Sequence, residues 1–276
     1  MTIKDILVHV DIQSGIDAQL ALAVDLADRH DAHLTGLHIK GELVVPVVEN
    51  YAVLPQSYFE DQLRAIDERA EAAKQKFDAA LRRVTIKSEW RTEQGRAADV
   101  VSRQARYADL VIVGQRDPDS VDDAGGLPDG VLLGTGRPTL IVPYVGTGKT
   151  FATNVMVAWD DGAPATRALH DALPLLVGAE RVSVCAVNAD DTGDHGDVPC
   201  ADICLHLARH GIKAEAHTLY AKDIDIADVL LSRAFDDGCD LLVMGGYGHS
   251  RWREYVLGGV TDQMLKNMTI PVLMSH

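Results

Sequence analysis

Short apolar runs alternate along this chain with longer segments whose apolar residues recur at helical spacing. Ile6-Leu7-Val8-His9-Val10-Asp11 is an apolar run that ends in a carboxylate. In the segment 19–30, Leu20, Ala23, Val24 and Ala27 share one helical face. The pattern predicts a strand and then a helix. It goes on to predict a strand over 33–40, a long helix over 57–83 and a polar-alternating strand over 86–91. A helix over 96–107, a strand over 110–113, a short helical turn over 130–134 and a strand over 139–142 follow. Residues 41–55 interrupt this order with an irregular, apolar-rich excursion, a length that suggests cover for a cavity or a partner.

The pattern then begins again. Val155-Met156-Val157-Ala158-Trp159-Asp160 repeats the opening run, carboxylate included. A helix over 164–176, a strand over 181–188, a polar loop over 190–197 and a helix over 201–210 stopped by Gly211 come next. Segments 213–219, 224–236, 241–244, 260–267 and 270–274 complete the second copy. Asp109-Leu110-Val111-Ile112-Val113-Gly114 returns as Asp240-Leu241-Leu242-Val243-Met244-Gly245. Pro138 before Thr139-Leu140-Ile141-Val142 returns as Pro271 before Val272-Leu273-Met274. This is an internal duplication. It divides the chain into two α/β domains, 1–145 and 152–276. Strands alternating with helices predict a mostly parallel sheet covered on both faces. Ligands in such sheets bind beyond the carboxyl ends of the strands, near the switch in strand order. Asp11, Asp160 and the loop after Met244 are expected at that edge.

At 276 residues each half is long enough to bury its own core. The net charge of −15, with no long run of Lys and Arg, argues against nucleic acid and anionic membrane surfaces as partners. No apolar stretch reaches the ~18 residues that span a bilayer, and Met1 leads into charged residues rather than a signal peptide. A cytoplasmic location is the expectation. The four cysteines, Cys185, Cys200, Cys204 and Cys239, form no CxxC pair. Cys200 and Cys204, with His195, His206 and His210 nearby, leave a metal site open, but buried thiols are the plainer reading. His170, His206 and His210 lie in helical patterns and read as surface or capping residues. No Ser-His-Asp or Cys-His set stands at informative spacing, so no catalytic residue is assigned. Gly146-Thr147-Gly148-Lys149-Thr150 is a linker, not a phosphate loop: that motif needs glycine where Pro143 stands, and a helix after it.

The stretch 244–261 carries the candidate chemistry. The apolar run Leu241 to Met244 ends in Gly245 and Gly246. Gly248 follows, then a cationic segment with His249, Arg251 and Arg253, and then Gly258 and Gly259 ahead of an amphipathic segment that begins Val260-Thr261. This reads as strand, glycine-rich loop and helix start. Glycines let backbone N–H groups approach a ligand, and a helix start adds unpaired donors and partial positive charge, which together suit a phosphate. The alternative reading keeps the loop as a structural connection, with its glycines serving turns alone. Asp160 has a similar alternative as a cap on the following helix.

The glycine pattern Gly245-x2-Gly248-x9-Gly258 and the duplication resemble the universal stress protein family in its tandem form. The likeness spans essentially the whole chain. It implies two doubly wound, parallel-sheet domains of flavodoxin-like or adenine nucleotide alpha hydrolase-like layering. It also implies that strands 139–142 and 270–274 pair, which would make the chain an intramolecular pseudo-dimer able to dimerise again. In ATP-binding members the loop and helix start hold the phosphates, here Gly245, Gly248, His249, Gly258, Gly259, Val260 and Thr261. The adenosine part is held by the carboxylate ending the first strand and backbone at the end of the second, here Asp160 and Val187. The resemblance thus implies ATP, with Mg²⁺, at the second half, a sensor or regulator role, and at most slow hydrolysis. Position 259 departs from the family pattern: it is Gly where nucleotide binders have Ser or Thr. The first half departs further. Gly114-Gln115-Arg116-Asp117 has no second glycine, and Asp117, Asp119, Asp122 and Asp123 would repel an anion. The first half is expected to be a degenerate copy that supports the second. A nucleotide-independent interaction protein, or one that takes a different small ligand, remains the alternative function.

Overall fold

The computed structural model describes residues 2–43, 55–116, 127–188, 199–247 and 259–276. In the first half these form β1 (Asp5–His9), α1 (Ile16–His30), β2 (His33–Lys40), α2 (Gln56–Leu81), β3 (Ser88–Gln94), α3 (Ala97–Gln104), β4 (Leu110–Gly114), α4 (Leu127–Thr135) and β5 (Thr139–Val142). The second half forms β6 (Asn154–Ala158), α5 (Ala163–Leu176), β7 (Arg181–Val187), α6 (Ala201–Arg209), β8 (Ala214–Leu219), α7 (Ile226–Asp236), β9 (Leu241–Gly245), α8 (Gly259–Asn267) and β10 (Val272–Ser275).

All the described strands join one sheet in the order β3-β2-β1-β4-β5-β10-β9-β6-β7-β8. Within each half the neighbours run parallel. The halves meet through β5 and β10, which pair antiparallel with Leu273 opposite Leu140. Strands 139–142 and 270–274 therefore do pair, as expected. The antiparallel seam has a geometric consequence. The carboxyl ends of the two halves' strands lie at opposite edges of the sheet, so Asp11 and Asp160 do not share one edge. Each stands at the edge of its own half.

The apolar runs become strands because both sheet faces are covered. Val111, Ile112, Leu140, Ile141, Leu242, Val243, Val272 and Leu273 are all fully buried. The repeated aspartates act alike. Asp109 accepts the amides of Lys4 at 2.8 Å and Asp5 at 3.1 Å, and Asp240 accepts those of Thr153 and Asn154, each at 2.9 Å. Each carboxylate thereby ties the start of its half's central strand to the turn before the neighbouring one. Two boundaries differ from the sequence pattern. The edge strand β3 ends three residues beyond the expected end and starts past Ile86, which packs on the core instead of opening the strand. The expected turn over 130–134 is a full helix, α4, because Leu127, Val131 and Leu132 give it a buried face.

Candidate functional site

At the carboxyl edge of the second half the chain leaves β6 for one side of the sheet and β9 for the other. This is the switch point where doubly wound sheets open a crevice. A cavity of about 270 Å³ lies there. Its walls come from the ends of β6, β7 and β9, from α7, and from the start of α8. Asp160, Val187, Gly245, Gly259, Val260 and Thr261 all line it. Gly248, His249 and Gly258 lie outside the described residues, as do Arg251 and Arg253.

The polar groups sit at the rim. Asp160 is exposed, and its Oδ1 accepts the Gly162 amide at 2.9 Å, across Asp161 in the left-handed conformation (φ 58). That bond shapes the turn before α5, but it ends at the N-cap residue Gly162 and no side chain caps the first turn, so Asp160 is not the cap of that helix. Across the cavity the chain leaves β9 in a sharp bend, with Tyr247 at φ 54. The Tyr247 amide donates to Thr261 Oγ1 at 3.1 Å, tying the glycine-rich turn to the first turn of α8. The start of α8 supplies the partial positive charge of a helix N-terminus. Asp262 in that turn is paired with Lys266 at 2.7 Å.

The interior is apolar. Ile226 and Leu230 of α7, with Met244 and Trp159, form the wall, and Cys185 lies on the floor. Burial pushes the Cys185 thiol up to about 12, so it stays protonated and unreactive. Burial likewise raises Cys200 and Cys239, each to about 11. Among the described residues no three His, Cys, Asp or Glu side chains converge to hold a metal ion. His195 lies outside the described residues.

The apolar wall was not readable as a site, because such residues are indistinguishable from core in a sequence. The signal that could have found it is the comparison of the two halves. With Asp11 laid on Asp160, the strand registers put His9 where Ala158 stands, Leu37 where Cys185 stands and Ile39 where Val187 stands. Each first-half residue is larger, which leaves less room at the matching place in the first half. Asp11 is also engaged: it accepts Arg69 Nε at 2.8 Å and Arg69 Nη2 at 3.2 Å from α2. Burial alone would raise the Asp11 carboxyl, but the hydrogen bond from Arg69, with the charges of His9 and Arg69 and the Ile12 amide, holds it below the usual range. His9 is 4% exposed, and burial drives its imidazole down to about 4.

Comparison with known proteins fits this architecture. The family model described as "Universal stress protein family" matches residues 2–143 and again 152–276. The chain belongs to the universal stress protein family and carries two such domains in tandem. A curated relative, the universal stress protein Slr1230 of Synechocystis, is 27% identical over 175 residues, which span 60% of this chain and 57% of that protein's length. Among solved structures, a universal stress protein from Archaeoglobus fulgidus superposes with a TM-score of 0.70 at 18% identity, covering 98% of this chain and 97% of the other. A putative universal stress protein from Pseudomonas aeruginosa gives a TM-score of 0.58 at 15% identity, covering 98% and 92%. Among the described residues no helix is long and apolar enough to cross a membrane.

Proposed function

We propose that the second half of this chain binds an adenine nucleotide, with ATP and Mg²⁺ as the first candidates, and that the chain works as a nucleotide-dependent sensor or regulator in the cytoplasm. One observation carries this reading: Asp160, Val187, Gly245, Gly259, Val260 and Thr261, far apart in sequence, surround one cavity at the switch point of the second sheet half. The apolar wall suits a planar base, the rim carboxylate of Asp160 suits ribose hydroxyls, and the helix start suits phosphate. In this reading the first half is the support on which the second is built. In this reading any hydrolysis is slow.

Calorimetry with ATP and Mg²⁺ tests the proposal, and saturable binding of one nucleotide per chain is the expected result. No binding at millimolar ATP sinks it. A second reading, a nucleotide-independent interaction protein or one that takes another small ligand, is favoured by one feature: Gly259 lacks the family's hydroxyl. ATP binding that is abolished by Gly248→Glu decides for the first reading.

A further inference from the structure

We propose that the first half of the chain sets the affinity of the second half's cavity through Tyr247, whose phenol, anchored on Asp129, positions the bend after β9 that forms the cavity rim. The inference rests on the nucleotide reading for its ligand and on the geometry of the bend for the rest. Tyr247 lines the cavity and is 8% exposed. Its backbone is left-handed, with φ 54, a conformation that a bulky residue keeps only where its surroundings hold it there. Two contacts within the second half do so. The Tyr247 amide donates to Thr261 Oγ1 at 3.1 Å, and its ring meets His276 edge-on with centroids 6.4 Å apart. A third contact comes from the other half: the phenol donates to Asp129 Oδ1 in the first turn of α4.

The residue before it is gripped in the same way. The Gly246 amide donates to the Ser275 carbonyl at 2.9 Å, and His276 Nδ1 donates to the Gly246 carbonyl at 3.0 Å. A methyl group on Gly246 would stand 2.6 Å from Leu132 Cδ2, so the bend lies directly against α4. One side of the bend thus lines the cavity while the other rests on the first half. The matching place across the seam is built differently. Carrying the repeat across puts Arg116 where Tyr247 stands and Asp262 where Asp129 stands, and Asp262 is engaged by Lys266 of its own helix at 2.7 Å. The phenol-to-carboxylate contact therefore serves the half with the open cavity. Hydrogen bonds to carboxylates are among the stronger kinds. A ligand that needs the bend in this shape favours the docked arrangement of the halves, and the docked halves favour the ligand by the same factor.

The test compares the full-length chain with Tyr247→Phe, Asp129→Ala and the double variant, each checked for folding by circular dichroism and a melting curve. Without ligand, amide exchange followed by NMR should be at least about tenfold faster at Gly246 and Tyr247 in either single variant, and no faster again in the double. The amides of Leu140 and Leu273 in the seam should keep their rates. With ATP and Mg²⁺, calorimetry should show each single variant binding about fivefold or more weaker, and the double variant no weaker than the singles. No ATP binding by the unaltered chain sinks the nucleotide reading alone, and the exchange rates then decide the proposal. Unchanged exchange at Gly246 and Tyr247 in the folded variants overturns it whether or not ATP binds. So does exchange that quickens equally at Leu140 and Leu273, which would make the contact a brace of the seam. ATP binding that is equally tight in all four chains also overturns it, with the nucleotide reading intact.

Discussion

Gly245 and Gly259 line the same cavity, yet an added methyl group would meet a wall at one and open space at the other. At Gly245 it would stand 2.5 Å from the Ala165 amide nitrogen and 2.8 Å from the Pro164 carbonyl carbon, both backbone atoms that cannot step aside. Gly245→Ala should cost on the order of 1–3 kcal/mol, read as a lower urea midpoint. At Gly259 no atom of the described residues lies within 4 Å. Gly259→Ser should fold normally and supply the hydroxyl that the family pattern has at this position. ATP should then bind roughly tenfold to a hundredfold tighter, about 1.5–3 kcal/mol for a hydrogen bond to a charged group. Unchanged affinity by calorimetry would show that position 259 does not face the phosphates. His9 carries a different prediction. Its imidazole protonates near 6.5 when unfolded and at about 4 when buried. Between those values the unfolded chain binds the extra proton, so stability is full above about 6.5 and is lost as the pH falls toward 4. At about 1.4 kcal/mol per pH unit, the loss is on the order of 3 kcal/mol. Urea titrations from pH 7 to 4.5 should show it, and His9→Leu should flatten that part of the profile.

At the level of elements, the two aspartates that end the repeated apolar runs have parted company because of what packs over them. The long helix α2 sends Arg69 down to Asp11, whereas the carboxylate of Asp160 stands exposed beside an open cavity. Asp11→Ala strips Arg69 of its partner and should cost about 1–3 kcal/mol of stability while ATP affinity stays unchanged. Asp160→Ala removes the acceptor of the Gly162 amide and should cost about 1 kcal/mol of stability, while weakening ATP by about tenfold or more. Equal loss of affinity from both would mean that the halves are wrongly assigned. The contrast also shows what the sequence could reveal. Helices and buried strands were legible because their apolar spacing is enforced by two covered faces. The edge strand β3 is shifted from its expected place because its residues face water on one side and the nearby apolar Ile86 belongs to the core. The places of Asp160, Gly245 and Gly259 at the cavity were legible because the duplication marks the strand ends and the helix start. The cavity itself was not, because Ala158, Cys185 and Val187 look like any strand residues until their first-half equivalents, His9, Leu37 and Ile39, are seen to be larger.

At the level of the whole molecule, the seam between the halves explains why the duplication is kept on one chain. The outer edges of the sheet are polar. β3 presents Glu89, Arg91 and Glu93, and β8 presents Glu215 and His217, the kind of edges that discourage further strand pairing. The inner edges are the reverse. Leu140 and Ile141 of β5 and Val272 and Leu273 of β10 are fully buried, and each such side chain contributes roughly 1.5–3 kcal/mol when withdrawn from water. Side chains reinforce the seam. Gln115 Nε2 donates to the carbonyls of Leu265 and Lys266, at 3.0 and 3.1 Å, which close the end of α8. Tyr247, in the bend that follows β9, donates its hydroxyl to Asp129 of α4, so the rim of the cavity is held from the other half. A half cut from its partner would expose an apolar strand edge with nothing to guard it. Residues 152–276 expressed alone should therefore pair through β10 with a second copy, antiparallel as in the intact chain, and elute in light-scattering chromatography at twice the fragment mass. A folded fragment that stays monomeric at tens of micromolar would show that the helices, not the strand seam, hold the halves together.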